Sequence, residues 1–370
     1  MIKKFLFIFL LATLMSPATL GAQELYSDYQ GTWRGKVLQV ISSEIKEIPG
    51  TEAKHLFQAI EAEILDGPQV GKVVRIENDY LKLDKGDRFY FNYNVDRDGT
   101  ERYGIINIDR RGSLAILLLL FVGTIILFGR WQGVRSLLAL AGSFFVIFYV
   151  LMPGLLNGWN PLLASFLVAS GILFGAIFFT HGFNRESVVA FSGTMIAVFL
   201  TGLFAIVAVK MTSLSGFSAD ESMYLNLNTN GTLDFTGLLL GAIIVGVLGV
   251  LDDIAVTQAA VVSELYDSNP QMSKAEAYAR ALRIGREHVG ALVNTLVLAY
   301  TGASLPILLY FQVSKMSFNS AVNLEIFATE IVRAIVGSIG LILTVPIVTL
   351  LAVFYLKGYK SKNPHVHHHH

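Results

Sequence analysis

Ionisable and strongly polar side chains are rare within the long apolar runs of this sequence. Those that do occur fall into three groups, in the stretches 246–258, 286–306 and 330–346. A charge inside a membrane span is costly, so each such residue is a candidate functional residue by default. The chemistry on offer is cation or proton binding by carboxylates, hydrogen bonding by amides and hydroxyls, and anion binding by a guanidinium.

The first group centres on Asp252 and Asp253. Spacings of three, four and four residues place Gly246, Gly249, Asp253 and Thr257 along one stripe of a helix. Small residues in such a stripe let another helix approach closely, whereas Asp252 points about 100° away. We expect the two aspartates to bind a cation or hold a proton, with Thr257 facing the same polar cavity. In the alternative interpretation, both carboxylates lie near the inner headgroups and only mark the end of the membrane-embedded stretch.

The second group contributes Asn294, Thr295 and Thr301, with Gly302 and Pro306 close behind. Asn294 and Thr301 are seven residues apart and share a helix face, and we expect Asn294 to lie at the depth of the aspartates. Proline removes a backbone donor, so a break or kink is predicted near Gly302. Broken helices often line substrate paths. Interhelical hydrogen bonding alone is the alternative.

The third group pairs Glu330 with Arg333, three residues apart. We predict an internal ion pair, because either charge alone would be costly in lipid. A more specific hypothesis is that Arg333 binds an anion or forms part of a gate. Gly337 and Gly340 follow as helix-packing positions, and Pro346 predicts tilt or a break in the last span.

Apolar residues dominate the elements that must position these groups. The chain of 370 residues is 53% hydrophobic and 15% charged, against about a quarter charged in soluble domains, which excludes an ordinary cytosolic enzyme. We predict an all-α polytopic bundle over residues 113–357, with an inner amphipathic helix near 273–287 and a cytoplasmic tail, 358–370, ending in a histidine run typical of a purification tag. Seven spans, each long enough for a core about 30 Å thick, are placed near 113–129, 136–152, 161–180, 187–209, 235–257, 289–311 and 326–355.

The N-terminal third has a different character. Residues 1–22 combine lysines, an apolar run and small residues, a pattern that predicts a cleaved signal peptide, with an uncleaved anchor as the alternative. Residues 23–112 hold 16 of the 28 acidic residues. Five short alternating runs separated by turn residues predict a small β-rich domain, an OB-like barrel or a sandwich. Because the domain is acidic and exported, nucleic-acid binding is not expected.

Charge asymmetry predicts the orientation. The predicted inner segments contain ten lysines and arginines and the predicted outer loops only two, Lys210 and Lys315, as the positive-inside rule requires. We therefore predict a multi-pass protein of the bacterial plasma membrane, with residues 23–112 outside the cytoplasm and the C-terminus inside.

Several chemistries find no support in the sequence. The chain has no cysteine, which excludes disulfides, thiolate metal sites and cysteine nucleophiles. It carries no phosphate-binding loop, so ATP-driven work by this chain alone is not expected. We predict no metal and no cofactor.

The polar groups and their surroundings resemble the YibE/F-like family of bacterial membrane proteins. The stretch 246–264 carries Asp253-Ile-Ala255-Val-Thr257, similar to the family's glycine-rich helix with Asp-x-Ala before a hydroxyl residue. The run 285–306 is the most specific match, and 330–346 completes the pattern. Asp252 departs from it, because the family pattern has an apolar residue there. The resemblance extends over nearly the whole chain and implies a multi-span membrane protein, without a biochemical role.

Two functional hypotheses of different classes follow. The leading one is a secondary transporter or permease for a small solute or ion, with Asp253 as the binding or coupling carboxylate, Asn294 and Thr295 assisting, and Glu330 with Arg333 ordering the outer half. The alternative is a non-transporting scaffold or sensor whose outer β-domain binds an envelope partner. An intramembrane enzyme ranks third. The expected partners are the lipid bilayer, the solute or ion, an envelope protein and, in an oligomer, further copies of the chain.

Overall fold

A computed structural model of the chain describes residues 29–47, 54–79, 81–96, 99–218 and 220–359. The predicted signal peptide, 1–22, and nearly all of the predicted tail lie outside the described residues. The chain divides into two compact units, Met1–Gly123 and Thr124–His370.

The N-terminal unit contains a five-stranded antiparallel sheet in the order β3-β2-β1-β4-β5. The predicted β-rich region is therefore confirmed. The long first strand pairs with both β2 and β4 and is irregular on each side, which bends the sheet into a half-barrel. The strands are β1 Tyr29–Glu47, β2 Lys54–Ile64, β3 Val73–Asn78, β4 Arg88–Val95 and β5 Glu101–Ile108.

Alternation along the strands builds the core of this sheet. Phe89, Phe91 and Tyr93 follow one another at every second position of β4 and are buried, because successive side chains of a strand point to opposite faces. The two edges are linked by polar contacts: Lys72 Nζ, just before β3, donates to Glu101 Oε2 at the start of β5 over 2.6 Å.

The remainder of the described chain is helical. By length and composition, five helices of the described chain can cross a membrane. The number is six if the bent pair α7 and α8 forms one span. The chain is therefore a multi-pass membrane protein. The helices are α1 Arg111–Val146, α2 Met152–Leu156, α3 Pro161–His181, α4 Arg185–Met211, α5 Asp220–Asn228, α6 Phe235–Ser268, α7 Lys274–Ala303, α8 Leu305–Val313, α9 Phe318–Val322 and α10 Glu325–Tyr355.

Helix α1 and the short α2 after it cover two of the seven predicted spans. Within α1, Arg130 has φ 45° and ψ −132°, outside the helical region. A side chain at Gly133 would collide with the backbone oxygen of Ile125. Residues eight apart in a straight helix are separated by about 12 Å, so the chain turns sharply at Arg130.

Close approaches at glycines hold α4, α6 and α10 together. A Cβ at Gly337 of α10 would lie 2.9 Å from Val247 Cγ1 of α6, and one at Gly340 would collide with Thr201 of α4. The predicted break at Pro346 does not occur, since α10 runs through it as one helix of 31 residues. Packing on neighbouring helices outweighs one missing hydrogen bond.

Helix α7 differs from the predicted arrangement. The expected surface helix near 273–287 and the following span form one helix of 30 residues, capped by Ser273, whose hydroxyl accepts from Glu276 N over 3.1 Å. Ala277 and Ala281 are fully buried against other helices, whereas Arg280, Arg283 and Arg286 are exposed, so this segment packs on the bundle through one face. The predicted break is confirmed: α8 bends by 59° from α7, with Pro306 in its first turn.

Candidate functional site

The two aspartates lie near the middle of α6. This helix has 34 residues and begins at the cap Asp234, whose side chain accepts from Gly237 N over 2.9 Å. At about 1.5 Å per residue, Asp252 lies about 26 Å from its start. Apolar residues of α6 such as Leu251 and Ile254 are buried on either side of the pair, so the carboxylates interrupt an apolar segment.

Asp252 is the more enclosed of the two. Its Oδ1 atom is shielded and has no hydrogen-bond partner among the described residues. Asp252 follows Gly241 by eleven residues, or three helical turns, and a Cβ at Gly241 would collide with Ser165 Oγ of α3. Asp252 therefore points toward the side of α6 that packs on α3. From the sequence, Asp253 is the favoured binding or coupling carboxylate. In the structure, Asp252 is the more enclosed of the two.

Asp253 lies on a face of α6 that is exposed among the described residues. The predicted stripe of Gly246, Gly249, Asp253 and Thr257 exists, but all four residues are exposed. The predicted cavity shared by Asp253 and Thr257 is wrong for the described chain, because helical periodicity defines a face but not what covers it. His181, at the end of α3, lies within electrostatic range of Asp253, a neighbour that the sequence did not indicate.

The amide and hydroxyl residues of α7 do not join the aspartates. Asn294, Thr295 and Thr301 are exposed, and the two threonine hydroxyls donate to carbonyls of their own helix, at 2.9 and 2.8 Å. No hydrogen bond joins Asn294 to Asp253 among the described residues, and their predicted convergence stays a prediction. The apolar face of α7 turns inward instead because its burial is favourable; that face comprises Val289, Leu292, Val293 and Leu296.

Glu330 and Arg333 form the predicted ion pair. Arg333 Nη1 donates to Glu330 Oε1 over 2.9 Å, and the side chains are 25% and 27% exposed, respectively. Arg333 Nε is buried without a partner in the described chain. Tyr300 of α7 interacts electrostatically with both charges, and its Oη would lie 3.5 Å from a Cβ at Gly246. Tyr300 thus completes a polar layer between α6, α7 and α10.

Two polar layers therefore occur at different heights of one bundle. Gly246 and Asp253 are separated by seven residues, about 10 Å along α6. The layer at Tyr300 can accommodate charge or hydrogen bonds, and the layer at the aspartates can hold a proton or a cation. No group of three or more histidine or acidic side chains suited to a metal ion occurs in the described ranges.

Comparison with known proteins gives one match. The chain is similar to the family described as YibE/F-like protein over residues 117–358. No curated protein and no solved structure matches it. The matched range includes both aspartates, the bend after α7, and the ion pair.

Proposed function

We propose that this chain, which belongs to the YibE/F-like family, is a secondary transporter or ion-coupled permease for a small solute or ion. Its binding or coupling site is the pair Asp252 and Asp253. This assignment favours transport over catalysis, since the pair suits reversible binding of a proton or a cation.

The observation that carries the proposal is the unpartnered Oδ1 of Asp252 within the apolar part of α6. A shielded carboxylate oxygen without a hydrogen-bond donor favours uptake of a proton or a cation, because an unpaired buried charge is unfavourable. Asp253, one residue on and on the open face, offers the entry point for that proton or cation. The occupied and empty states of the pair then differ in charge, as coupling requires.

The second polar layer supports the same function. A transporter that alternates its access needs polar groups on both sides of its central site. Tyr300, Glu330 and Arg333 supply one such layer about 10 Å along α6 from Asp253, and the 59° bend after α7 lies close by in sequence. We assign these three residues to ordering the outer half.

The architecture that we propose has seven spans. The sharp turn at Arg130 supports counting 111–129 and 131–156 as two crossings, and the bent pair α7 and α8 counts as one. Together with the positive-inside pattern, this count leaves the C-terminus in the cytoplasm of a bacterial cell and residues 23–112 outside. We propose an OB-like barrel for that domain, because its edge strands are linked through Lys72 and Glu101.

The test is thermal stability of the detergent-purified protein across pH and a panel of ions and metabolites. A ligand at 100 times its Kd should stabilise the wild type by about 2.7 kcal/mol. We expect Asp252→Asn and Asp253→Asn to lose this shift while their ligand-free melting is retained. Glu264→Gln is the matched control, since Glu264 is exposed on the same stripe of α6, three turns further on. A shift that survives in both asparagine variants contradicts the proposal.

One observation favours the scaffold as a second candidate function. In the β-domain, Trp33, Asp66, Gln69 and Tyr93 line a small hollow, and the Trp33 indole N–H is buried there without a partner among the described residues. A peptide carbonyl of an envelope protein could accept from this donor only after the side chains around it move, because the hollow has no room for a water molecule. A scaffold predicts that deletion of residues 23–112 abolishes the cellular function, whereas Asp253→Asn leaves it intact.

A further inference from the structure

A crevice of about 460 Å³ opens beside the end of α3, and its lining includes none of the aspartates or the ion pair. One wall is aromatic, and the opposite wall carries a single cation, Arg135 of α1. The lining consists of Arg135, Phe174, Gly175, Phe178, Phe179, Gly182 and Phe183.

Two glycines create the space. A Cβ at Gly175 would meet nothing within 4 Å, so its absence leaves the crevice open along α3. Gly182, with φ 81°, ends the helix and turns the chain. That turn lets Phe183 stack on Phe178, with the ring centroids 4.6 Å apart and the planes at 14°.

The position of Arg135 is set by a contact one turn earlier. Gln132 Nε2 donates to the backbone oxygen of Thr180 over 3.1 Å, which holds α1 against the end of α3. Arg135 is half-buried and makes no hydrogen bond or ion pair within the described part of the chain. Its guanidinium keeps five donors for an outside acceptor, in a geometry that matches a phosphate.

The height of the crevice in the membrane identifies the acceptor. It lies where α1 has just turned at Arg130, where α3 ends and where α4 begins, and helix ends of spans lie at the interface with water. Phospholipid phosphates occupy that level. The positive-inside pattern places it at the inner leaflet, where anionic lipids attract basic side chains.

We propose that this crevice is a binding site for one anionic phospholipid. The lipid phosphate accepts hydrogen bonds from Arg135, and the first part of an acyl chain lies on Phe174, Phe178 and Phe179. The volume is too small for a whole lipid, so the remaining hydrocarbon stays in the bilayer. The site is independent of the proposed transport function, because it shares no residue with the aspartates.

Native mass spectrometry of the detergent-purified protein, titrated with phosphatidylglycerol, tests the proposal. We expect one tightly retained lipid on the wild type and at least tenfold weaker binding for Arg135→Gln. Gly175→Leu should weaken binding equally, because a Cβ at this position meets nothing within 4 Å and the rest of the leucine side chain occupies the crevice. Gly171→Leu, one turn away on α3 and equally free of contacts, is the matched control and should bind as the wild type does.

Four other results would overturn the proposal. Equal retention of phosphatidylcholine would remove the role of the anionic headgroup. Protection from melting by inorganic phosphate alone, equal to that by the lipid, would indicate a free-anion site. If Gly175→Leu binds the lipid as the wild type does, the acyl chain does not lie in the crevice. If all variants bind the lipid equally, the lipid binds elsewhere on the protein. If Arg135→Gln does not fold, the comparison of the two leucine variants decides.

Discussion

Replacing one member of the pair Glu330 and Arg333 should destabilise the protein more than replacing both. In Arg333→Met, the Glu330 carboxylate loses its donor at 2.9 Å, and in Glu330→Gln the guanidinium, whose Nε already lacks a partner among the described residues, is left as a lone cation. In the double variant, neither charge remains. The perturbation therefore separates the cost of an isolated charge from the net value of the pair.

The magnitude follows from burial and depth. Breaking a fully buried pair costs about 3–5 kcal/mol, and a lone charge at the centre of a span about 2.5–3.5 kcal/mol. Both side chains are about a quarter exposed, and Glu330 lies about 8 Å from the start of α10 rather than at mid-membrane. We expect a loss of about 2–3 kcal/mol in the free energy of unfolding for each single variant, roughly a 30- to 150-fold change in the unfolding equilibrium. The double variant should lose about 0–1 kcal/mol.

The assay is equilibrium unfolding in mixed micelles with a rising fraction of denaturing detergent. Arg283→Met, which removes an exposed charge from α7, serves as the control and should change stability by less than about 0.5 kcal/mol. If the double variant loses the sum of the two single losses, Glu330 and Arg333 are not energetically coupled, and the reasoning fails. If the double variant is stable yet inactive in transport, the pair acts in function as well as in folding.

Three further predictions concern contacts outside this pair. The amide of Gln258, only 3% exposed, donates to Ala281 O over 2.9 Å and to Thr349 Oγ1 over 2.7 Å. Gln258→Leu should therefore lose about 1–3 kcal/mol in the free energy of unfolding, measured in the same assay. The control Thr257→Val, at an exposed neighbouring position, should change this free energy little. Glu325 accepts from the backbone N–H groups of Ser215 and Gly216 over 2.8 and 2.7 Å; Glu325→Ala should speed hydrogen exchange in 213–217 by about tenfold or more, and unchanged exchange would count against the contact. The hydrogen bond from Lys72 lowers the pKa of Glu101 from 4.5 to about 2, so its contribution to stability is complete above about pH 4.5 and is lost as the pH falls toward 2; Lys72→Met should flatten this dependence, measured by hydrogen exchange in β3 and β5.

Local rules predicted much of the fold. Period-two alternation located the five strands, because one face of each had to be buried. A helix was predicted to begin near residue 273, and α7 does begin there, where the Ser273 hydroxyl satisfies a free backbone donor. Glu330 and Arg333 were predicted to pair because residues three apart share a helix face. Each of these inferences depends only on residues close together in the sequence.

Features that depend on distant segments were predicted less well. The segment 273–287 is amphipathic, which suits a membrane surface and a helix packed on a bundle equally, and its alanine face lies against neighbouring helices. His181 and Tyr300 approach the polar groups of α6 from other helices. No local pattern indicates such neighbours, because the chain between them determines their approach only through the packing of whole helices.

The sequence by itself determined that the chain crosses a membrane several times, that α6 carries two carboxylates in an apolar segment, and that a β-rich region precedes the helices. These features follow from composition and periodicity, which act over one helix or strand. Only the tertiary structure decided that Asp252 is enclosed while Asp253 is exposed, and that Asn294 is exposed without a described hydrogen bond to either. The physical reason is that burial is a property of the contact between two helices, and α3 covers one side of α6 while Asp253 is exposed among the described residues.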